Sequence, residues 1–581
     1  MKTVAVSDGD ALPWVTNPLR LEVPMVRSSS LYPGRVAGWK QNMLPLANPA
    51  MPDRGAGEEM VELVPYGSTC LRVTCFPVAA ELPPKPVVIP CPMISKVTGG
   101  VLRLAARPED RDDACPRIPI GLGKIEGLIR SAMTVAHDDA IEPEGYQLKI
   151  TPDGIAVSAS TDAGAFYALQ SARQLAVRED WDSTEITIPC MEIRDWPKFP
   201  WRGLHLDDCR HFFGKANVLR FLDLMAYHKF NVFHWHLTED QAWRIDLPRH
   251  PELAAYGASR PSTPLARNPD VSDGLPYGPF AYTPDDIREI VAYAAARHIR
   301  VVPEIEMPGH VRALLAAHPE FSCAGPSLAP RHPRTGWGIE EDVLCVGNDE
   351  AVAFMEEILD EICDLFPGDI IHIGGDECPK GRWKTCPKCQ ARMRALGLRD
   401  EKELQGWFAG RMAAHLAKRG RRAIGWNEVA DGGNLPADAL VMDYFGQPRN
   451  GELAAAGHDV VCCPGSSCYF DWPQFMPGSD SHFYFRWGGT ASLENVYLFD
   501  PTDGVAPEHQ AHILGAQGNN WSEYTADFDA LMWKAYPRAC ALAEALWTYP
   551  CKSRGVDAFK RRLRVHRPRL LALGVNCAPV V

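Results

Sequence analysis

Asp369-Ile370-Ile371-His372-Ile373-Gly374-Gly375-Asp376-Glu377 is a run of strand-forming residues that passes through two glycines into two adjacent carboxylates. Its apolar half reads as a β-strand buried on both faces, the kind found in a parallel sheet. The glycines let a ligand approach the backbone closely, and successive side chains diverge, so Asp376 and Glu377 can face different parts of one substrate. Their like charges repel, which raises one carboxyl's pKa and keeps a proton donor available near neutral pH. The alternative is a helix N-terminus at which Asp-Glu only complements the macrodipole. The rest of the chain decides between them.

Outward from this stretch, short β runs cover 202–206, 231–237, 300–306, 369–374, 422–426, 440–444, 460–463 and 513–517, with helices such as 285–297 and 401–418 between most of them. Strands alternating with helices predict a parallel sheet with helical crossovers, and eight such units predict an α/β fold of the (β/α)8 TIM-barrel type carrying insertions. Functional side chains in that fold lie just after the strands. Before the barrel, runs at 145–150 and 155–159 flank a turn at Pro152-Asp153-Gly154 and predict a hairpin. A helix over 162–176 follows, with Phe166, Leu169, Ala172 and Leu175 on its apolar stripe. The expected division is an N-terminal extension over 1–85 with a small strand pair near 61–74, a small α/β domain over 86–195, and a catalytic barrel over 196–581.

The 581 residues exceed one ordinary core, and 46% apolar with 23% charged residues is a globular composition. The formal net charge of -13, with no basic cluster beyond the arginine pairs at Arg421 and Arg561, argues against a nucleic-acid partner and for a neutral or polar small substrate. No apolar run reaches membrane-spanning length, and the stretch 1–10 is unlike a signal peptide, so a soluble, cytoplasmic protein without a membrane partner is expected. The 18 cysteines, scattered through apolar runs such as Val461-Cys462-Cys463-Pro464, read as reduced core thiols.

Charged and aromatic residues stand after nearly every predicted strand. Asp207, Asp208, Arg210 and His211 follow the first, Glu239 and Asp240 the second, Glu306 and His310 the third, and Asp376 and Glu377 the fourth. Trp426 and Glu428 end the fifth, Tyr469 and Asp471 the seventh, and Trp521 and Glu523 the eighth. Any one alone reads more simply as a capped loop or a solvated face. A closed barrel turns all these loops to one mouth, where acids and indoles suit a ligand with hydroxyls on its edge and C–H groups on its face, as a pyranose has.

The motifs Trp201-Arg202-Gly203-Leu204 with Asp207 and Arg210-His211-Phe212-Phe213, then 231–238, 303–310, 372–377, Gly425-Trp426-Asn427-Glu428 and Tyr469-Phe470-Asp471 follow one another in a familiar order. With them the chain resembles the β-N-acetylhexosaminidases of glycoside hydrolase family 20, over residues 144–547. The resemblance implies exo-acting, retaining release of terminal β-GlcNAc or β-GalNAc from a glycan or oligosaccharide. In that substrate-assisted chemistry the sugar's own 2-acetamido oxygen attacks the anomeric carbon. It implies Glu377 as general acid and later base, and Asp376 as the group that orients and charge-stabilises the acetamido N–H. Trp426 and Trp521 would wall the sugar, Tyr469 would donate to the acetamide oxygen, and Asp471 with Glu523 would accept from the C4 and C6 hydroxyls. Arg202 would bind the C3 and C4 hydroxyls, and His310 would join a polar relay with Glu239 beside the acid.

Four positions depart from the family's pattern. Glu239 and Glu306 stand where Asp is usual, which keeps the relay's charge and adds a methylene at each; Asn427 replaces an Asp. Tyr444, within Met442-Asp443-Tyr444-Phe445-Gly446, stands where a Trp often completes the acetamide cage. These changes bear on substrate preference more than on reaction class. Cys386-Pro387-Lys388-Cys389, with Cys378 upstream, has the spacing of half a zinc site, but without a second pair at ligand spacing it reads as an ordinary loop. The family's chemistry requires no metal, and no cofactor is expected. A homodimer is compatible with the sequence. Two other readings stay open: a relative that releases a disaccharide or a sulfated sugar from an open-ended pocket, and an inactive carbohydrate-binding homologue, against which the retained acid pair speaks.

Overall fold

A computed structural model of the protein describes residues 3–7, 59–66, 70–77, 86–105, 122–177, 185–265, 268–327, 331–475, 489–548 and 555–580. Eight strands close into a barrel: β1 (Trp201–Asp207), β2 (Val232–His236), β3 (Arg300–Glu304), β4 (Ile370–His372), β5 (Arg422–Trp426), β6 (Leu440–Asp443), β7 (Val460–Cys462) and β8 (Ile513–Gly518). Each is parallel to the next, and β8 returns to β1 with Ala516 opposite Arg202 and Gly518 opposite Leu204. All eight predicted strands are present.

Alternate residues of each strand enter the barrel. Near the N-terminal rim Val232, Val302, Ile370, Ile424, Leu440 and Val461 pack as an apolar layer. Burial of such side chains contributes about 1.5–3 kcal/mol each. Two residues further along the strands stand His234, Glu304, His372, Trp426 and Met442, all buried. The interior therefore changes from an apolar plug to a polar and aromatic floor, and the plug holds that floor in place. Outside, helices such as Asp349–Leu365 and Glu401–Lys418 cover the strands; Asn348 and Asp400 cap their first turns by accepting from backbone N–H groups.

The small domain is a five-stranded sheet in the order Ile94–Ala105, Glu185–Asp195, Tyr146–Thr151, Gly154–Ala159, Met133–His137, antiparallel except for the last pair. The predicted hairpin is its 146–159 segment, and the predicted helix, Asp162–Leu175, is capped by Thr161 and buries Phe166, Leu169, Ala172 and Leu175. Strands Thr3–Ser7, Cys70–Pro77 and Glu59–Tyr66 form a separate antiparallel sheet, so the strand pair expected near 61–74 has a third member. Among the described residues no helix is long and apolar enough to cross a membrane.

Arg202 corrects the sequence reading. It is the second residue of β1, at the N-terminal rim, and its guanidinium turns away from the mouth toward the small domain. Nη2 and Nη1 donate to the Glu144 carboxylate at 2.7 and 3.2 Å, Nε to the Lys229 carbonyl at 2.9 Å and Nη1 to the Phe199 carbonyl at 2.9 Å. The Tyr167 and Trp547 rings flank it. A residue at the start of a barrel strand lies on the rim opposite the ligand-binding loops. Arg202 is thus a buried anchor between domains, beside the wholly buried Lys229–Asp195 pair at 2.8 Å.

Candidate active site

Glu304 ends β3 and lies at the centre of the barrel floor. His236 Nδ1 donates to it at 2.5 Å and Trp426 Nε1 at 2.7 Å; His372 Nδ1, which accepts from the Gly374 N–H, lies 3.0 Å from it and His234 Nε2 3.1 Å. Burial by itself would raise this carboxyl, but the surrounding imidazoles hold it well below the usual range. Burial would likewise lower His236, yet Glu304 on one ring nitrogen and Glu239 on the other, 3.2 Å away, push it up to about 10.

Glu239, in the turn after β2, continues the chain of contacts. Its Oε2 lies 3.0 Å from Arg210 Nη2, and its Oε1 2.8 Å from His310 Nδ1. The extra methylene therefore does not prevent it from engaging His236, Arg210 and His310 together. His310, whose φ is 51°, presents Nε2 at 3.7 Å from Asp376 Oδ2 and 3.7 Å from Glu377 Oε2. Burial disfavours its charged form, but Glu239 and Asp376 outweigh that and hold the imidazole well above its ordinary pKa.

The backbone after β4 turns sharply: φ is 61° at Gly374, 102° at Gly375 and 44° at Glu377. Left-handed backbone at a non-glycine residue is costly and gathers at functional sites. The turn separates the two acids. Asp376 points inward with its side chain 13% exposed, whereas Glu377 is 43% exposed at the rim. Burial raises the Asp376 carboxyl to about 7; His310 opposes this, and Glu304, Glu428 and Glu377 add to it. The Glu377 N–H donates to Glu428 at 3.4 Å, and Glu428 accepts from the Tyr444 hydroxyl at 2.5 Å.

Glu306 behaves otherwise than the sequence suggested. It does not extend a charged relay: both carboxyl oxygens are buried without a protein hydrogen-bond partner, and burial, with Asp376 and Glu304 nearby, pushes the group well above the usual carboxylate range. Burial and the nearby Asp376 and Glu304 carboxylates thus both favour the protonated form of Glu306.

Four rings from β5 to β8 and the loops after them pack against one another on the Asp376 side of the mouth. Trp426 and Trp521 have centroids 5.9 Å apart at 40°, Tyr444 meets Trp426 edge-on at 5.8 Å, and Tyr469 is 6.3 Å from Trp521. Burial, with Asp376 among the nearby charges, raises both phenols, so each remains a hydrogen-bond donor. Asp471 has both carboxyl oxygens out of solvent and unpartnered, and burial followed by the charge of Glu523 raises it to about 7. Burial also raises Glu523, against the nearby Arg210.

Residues 199–550 match the family model described as "Glycosyl hydrolase family 20, catalytic domain", and residues 109–196 match its "domain 2". The chain belongs to glycosyl hydrolase family 20. It is 42% identical over 458 residues to a β-hexosaminidase of Porphyromonas gingivalis, covering 77% of this chain and 56% of that one. It is 37% identical over 434 residues to a β-hexosaminidase of Akkermansia muciniphila, covering 74% and 84%. The chain thus spans little more than half of the first relative's length. Among solved structures, a family 20 exo-β-N-acetylglucosaminidase from Vibrio harveyi in complex with N-acetylglucosamine superposes with a TM-score of 0.73 at 27% identity, covering 90% of this chain and 85% of that one.

In this family 20 barrel, Glu239, His310, Asp376, Glu377, Trp426, Tyr444, Tyr469, Asp471, Trp521 and Glu523 stand at one rim, and Arg202 at the other. Arg210 is a cation at the mouth. It sits in the turn after β1, pairs with Asp207 at 3.3 Å as well as Glu239, and lies 5.2 Å over the Trp521 ring. The sequence showed it as a strand-end charge without a role. Its signal was the Asp207-x-x-Arg210 spacing, which lets the Asp207 carboxylate accept from the backbone N–H of Cys209 and Arg210 at the turn. Glu304 and His236 were also visible only as members of motifs.

Proposed function

We propose that this chain is an exo-acting, retaining β-N-acetylhexosaminidase in which Asp376 and Glu377 divide the chemistry. The observation that carries the reading is the asymmetry of that pair: both lie 3.7 Å from one imidazole nitrogen, but the Asp376 side chain is largely shielded from solvent whereas that of Glu377 stands open at the rim. Glu377 protonates the leaving glycosidic oxygen and then takes a proton from the incoming water. Asp376 accepts from the acetamido N–H while Tyr469 donates to the acetamide oxygen. These two contacts align that oxygen with the anomeric carbon and stabilise the positive oxazolinium as it forms. The Asp376 charge matters most in the cyclised state, so its contribution falls on kcat. His310, held by Glu239, positions both acids.

Trp426 and Trp521 present faces to the sugar, with Tyr444 as a further wall, and Asp471 with Glu523 accept from the C4 and C6 hydroxyls. Arg210, in place of Arg202, binds the C3 and C4 hydroxyls and closes the pocket, so a glycan enters by its non-reducing end. The β-hexosaminidase names of the relatives support the same substrate class. The test is a panel of β-aryl glycosides. Terminal N-acetylhexosaminides should turn over, β-glucosides and β-galactosides without the acetamide should be extremely poor substrates, and a thiazoline mimic of the cyclised intermediate should inhibit strongly. Comparable rates on β-glucosides would require an enzymic nucleophile and would refute the mechanism, and release of disaccharides would refute the closed pocket.

A further inference from the structure

We propose that Cys323, Cys345, Cys386 and Cys389 form a structural zinc site that ties the loop after β3 to the loop after β4. Their four sulfur atoms lie within 4.8 Å of one another. Cys345 is 3.6 Å from Cys386 and 3.7 Å from Cys389, and Cys323 is 3.8 Å from Cys389. Zinc bonded to four sulfurs at about 2.3 Å in a tetrahedron requires sulfur–sulfur edges of about 3.8 Å. A disulfide would bring two sulfurs to about 2.05 Å. The cluster therefore has the spacing of a mononuclear thiolate site, and all four cysteines are free thiols.

The surroundings are built around these sulfurs. Cys386 precedes the helix Pro387–Leu396, and Cys389 lies in its first turn. Gly347, two residues after Cys345, donates its backbone N–H to the Cys345 sulfur. A β-carbon on Gly347 would come 2.2 Å from the Cys389 nitrogen, so the two cysteine turns pack backbone to backbone. Cys323 follows Ser322, which bridges to Leu344, and the Cys345 N–H donates to the Phe321 carbonyl at 2.7 Å. Cys378, the neighbour suggested by sequence, is not a member of the cluster. The second half of the site comes instead from Cys323 and Cys345. These lie too far apart in the chain to register as a ligand pair, which is why the motif looked incomplete. An all-sulfur donor set favours zinc over the hard cations that take oxygen ligands.

The site sits behind the catalytic rim. The Leu344 N–H donates to the Pro308 carbonyl at 2.9 Å, and Trp383 Nε1 donates to the Leu344 carbonyl at 2.9 Å. Pro308 leads to His310, and Trp383 belongs to the helix after Glu377. A metal at this point would fix the two loops whose relative placement sets the distance from His310 to the acid pair.

The test is the metal content of the full chain, expressed with zinc and purified without chelators. It should carry about one zinc per chain. Titration with a mercurial should release that zinc in step with modification of the cysteine thiols, and Cys386→Ser/Cys389→Ser should lose it. Cobalt in place of zinc should show the sulfur-to-metal charge-transfer absorption of a tetrahedral thiolate site. Wild-type protein without stoichiometric zinc, with iron in its place, or with disulfides among these cysteines would overturn the proposal. So would zinc that persists in the double variant or leaves without thiol modification. If the double variant does not fold, the mercurial titration of the wild-type chain decides alone.

Discussion

The carboxyl of Glu306 occupies the place that a β-carbon on Gly374 would fill: its Oε2 atom lies 1.8 Å from that position. Gly374 also has a φ of 61°, which side chains rarely adopt. Glycine is therefore required on two grounds, and the longer acid at 306 fits only because the residue facing it has no side chain.

Gly374→Ala should destabilise the protein by more than the roughly 1–2 kcal/mol of left-handed backbone strain alone, because it also displaces Glu306 from beneath Asp376. Glu306→Asp, which shortens the side chain, should recover part of that loss in the Gly374→Ala background. Urea denaturation of the two single variants and the double variant measures this as a cycle. Simple additivity would show that the two residues do not contend for the same space.

Asp376 ionises at about 7 in the fold, against 3.8 for the ordinary carboxyl. The folded state therefore keeps a proton that the unfolded chain has released. Its stabilising effect is complete below pH of about 4 and is lost as pH rises toward 7, since above that the buried charge is borne only by the fold. Asp376→Asn cannot ionise. It should raise Tm at about pH 8 more than at about pH 4, while lowering kcat. Calorimetry at the two pH values, with kcat measured in parallel, checks the sign; an equal shift at both would mean that Asp376 is not a buried titrating acid.

Glu377→Gln should remove most turnover on substrates with poor leaving groups and much less on activated aryl glycosides, because only the former need full protonation in the transition state. A leaving-group series at fixed pH measures it. Equal losses across the series would remove Glu377 from the role of acid.

Arg202 and Arg210 should separate cleanly. Arg210→Lys loses the planar fork at the mouth and should lower kcat/KM on terminal N-acetylhexosaminides by roughly tenfold or more. Arg202→Ala strips a partner from a buried ion pair and should cost about 3 kcal/mol of stability, with KM little changed. Steady-state kinetics and thermal melts on both variants test the assignment, and the reverse pattern would place Arg202 back in the pocket.

The sequence by itself determined the barrel, its eight strands, the hairpin and helix of the small domain, and the acid pair. Each of these is written in local terms: runs of strand-forming residues, the helical repeat of 162–175, and the Gly374-Gly375 turn that delivers Asp376 and Glu377 to one rim. What only the tertiary structure decided is nonlocal. Arg202 lies in β1 and Arg210 just beyond its end, and the pairing of one with Glu144 and the other with Glu239 depends on contacts between segments distant in the chain. In sequence Glu306 is simply an acid, and only its burial with Asp376 and Glu304 nearby pushes its carboxyl well above the usual range. Cys386-Pro387-Lys388-Cys389 has only half a ligand set in sequence, and it is the chain fold that brings Cys323 and Cys345 to it. Residue type and spacing set the local backbone, whereas charge state and ligand geometry follow from burial and from partners that the fold alone brings near.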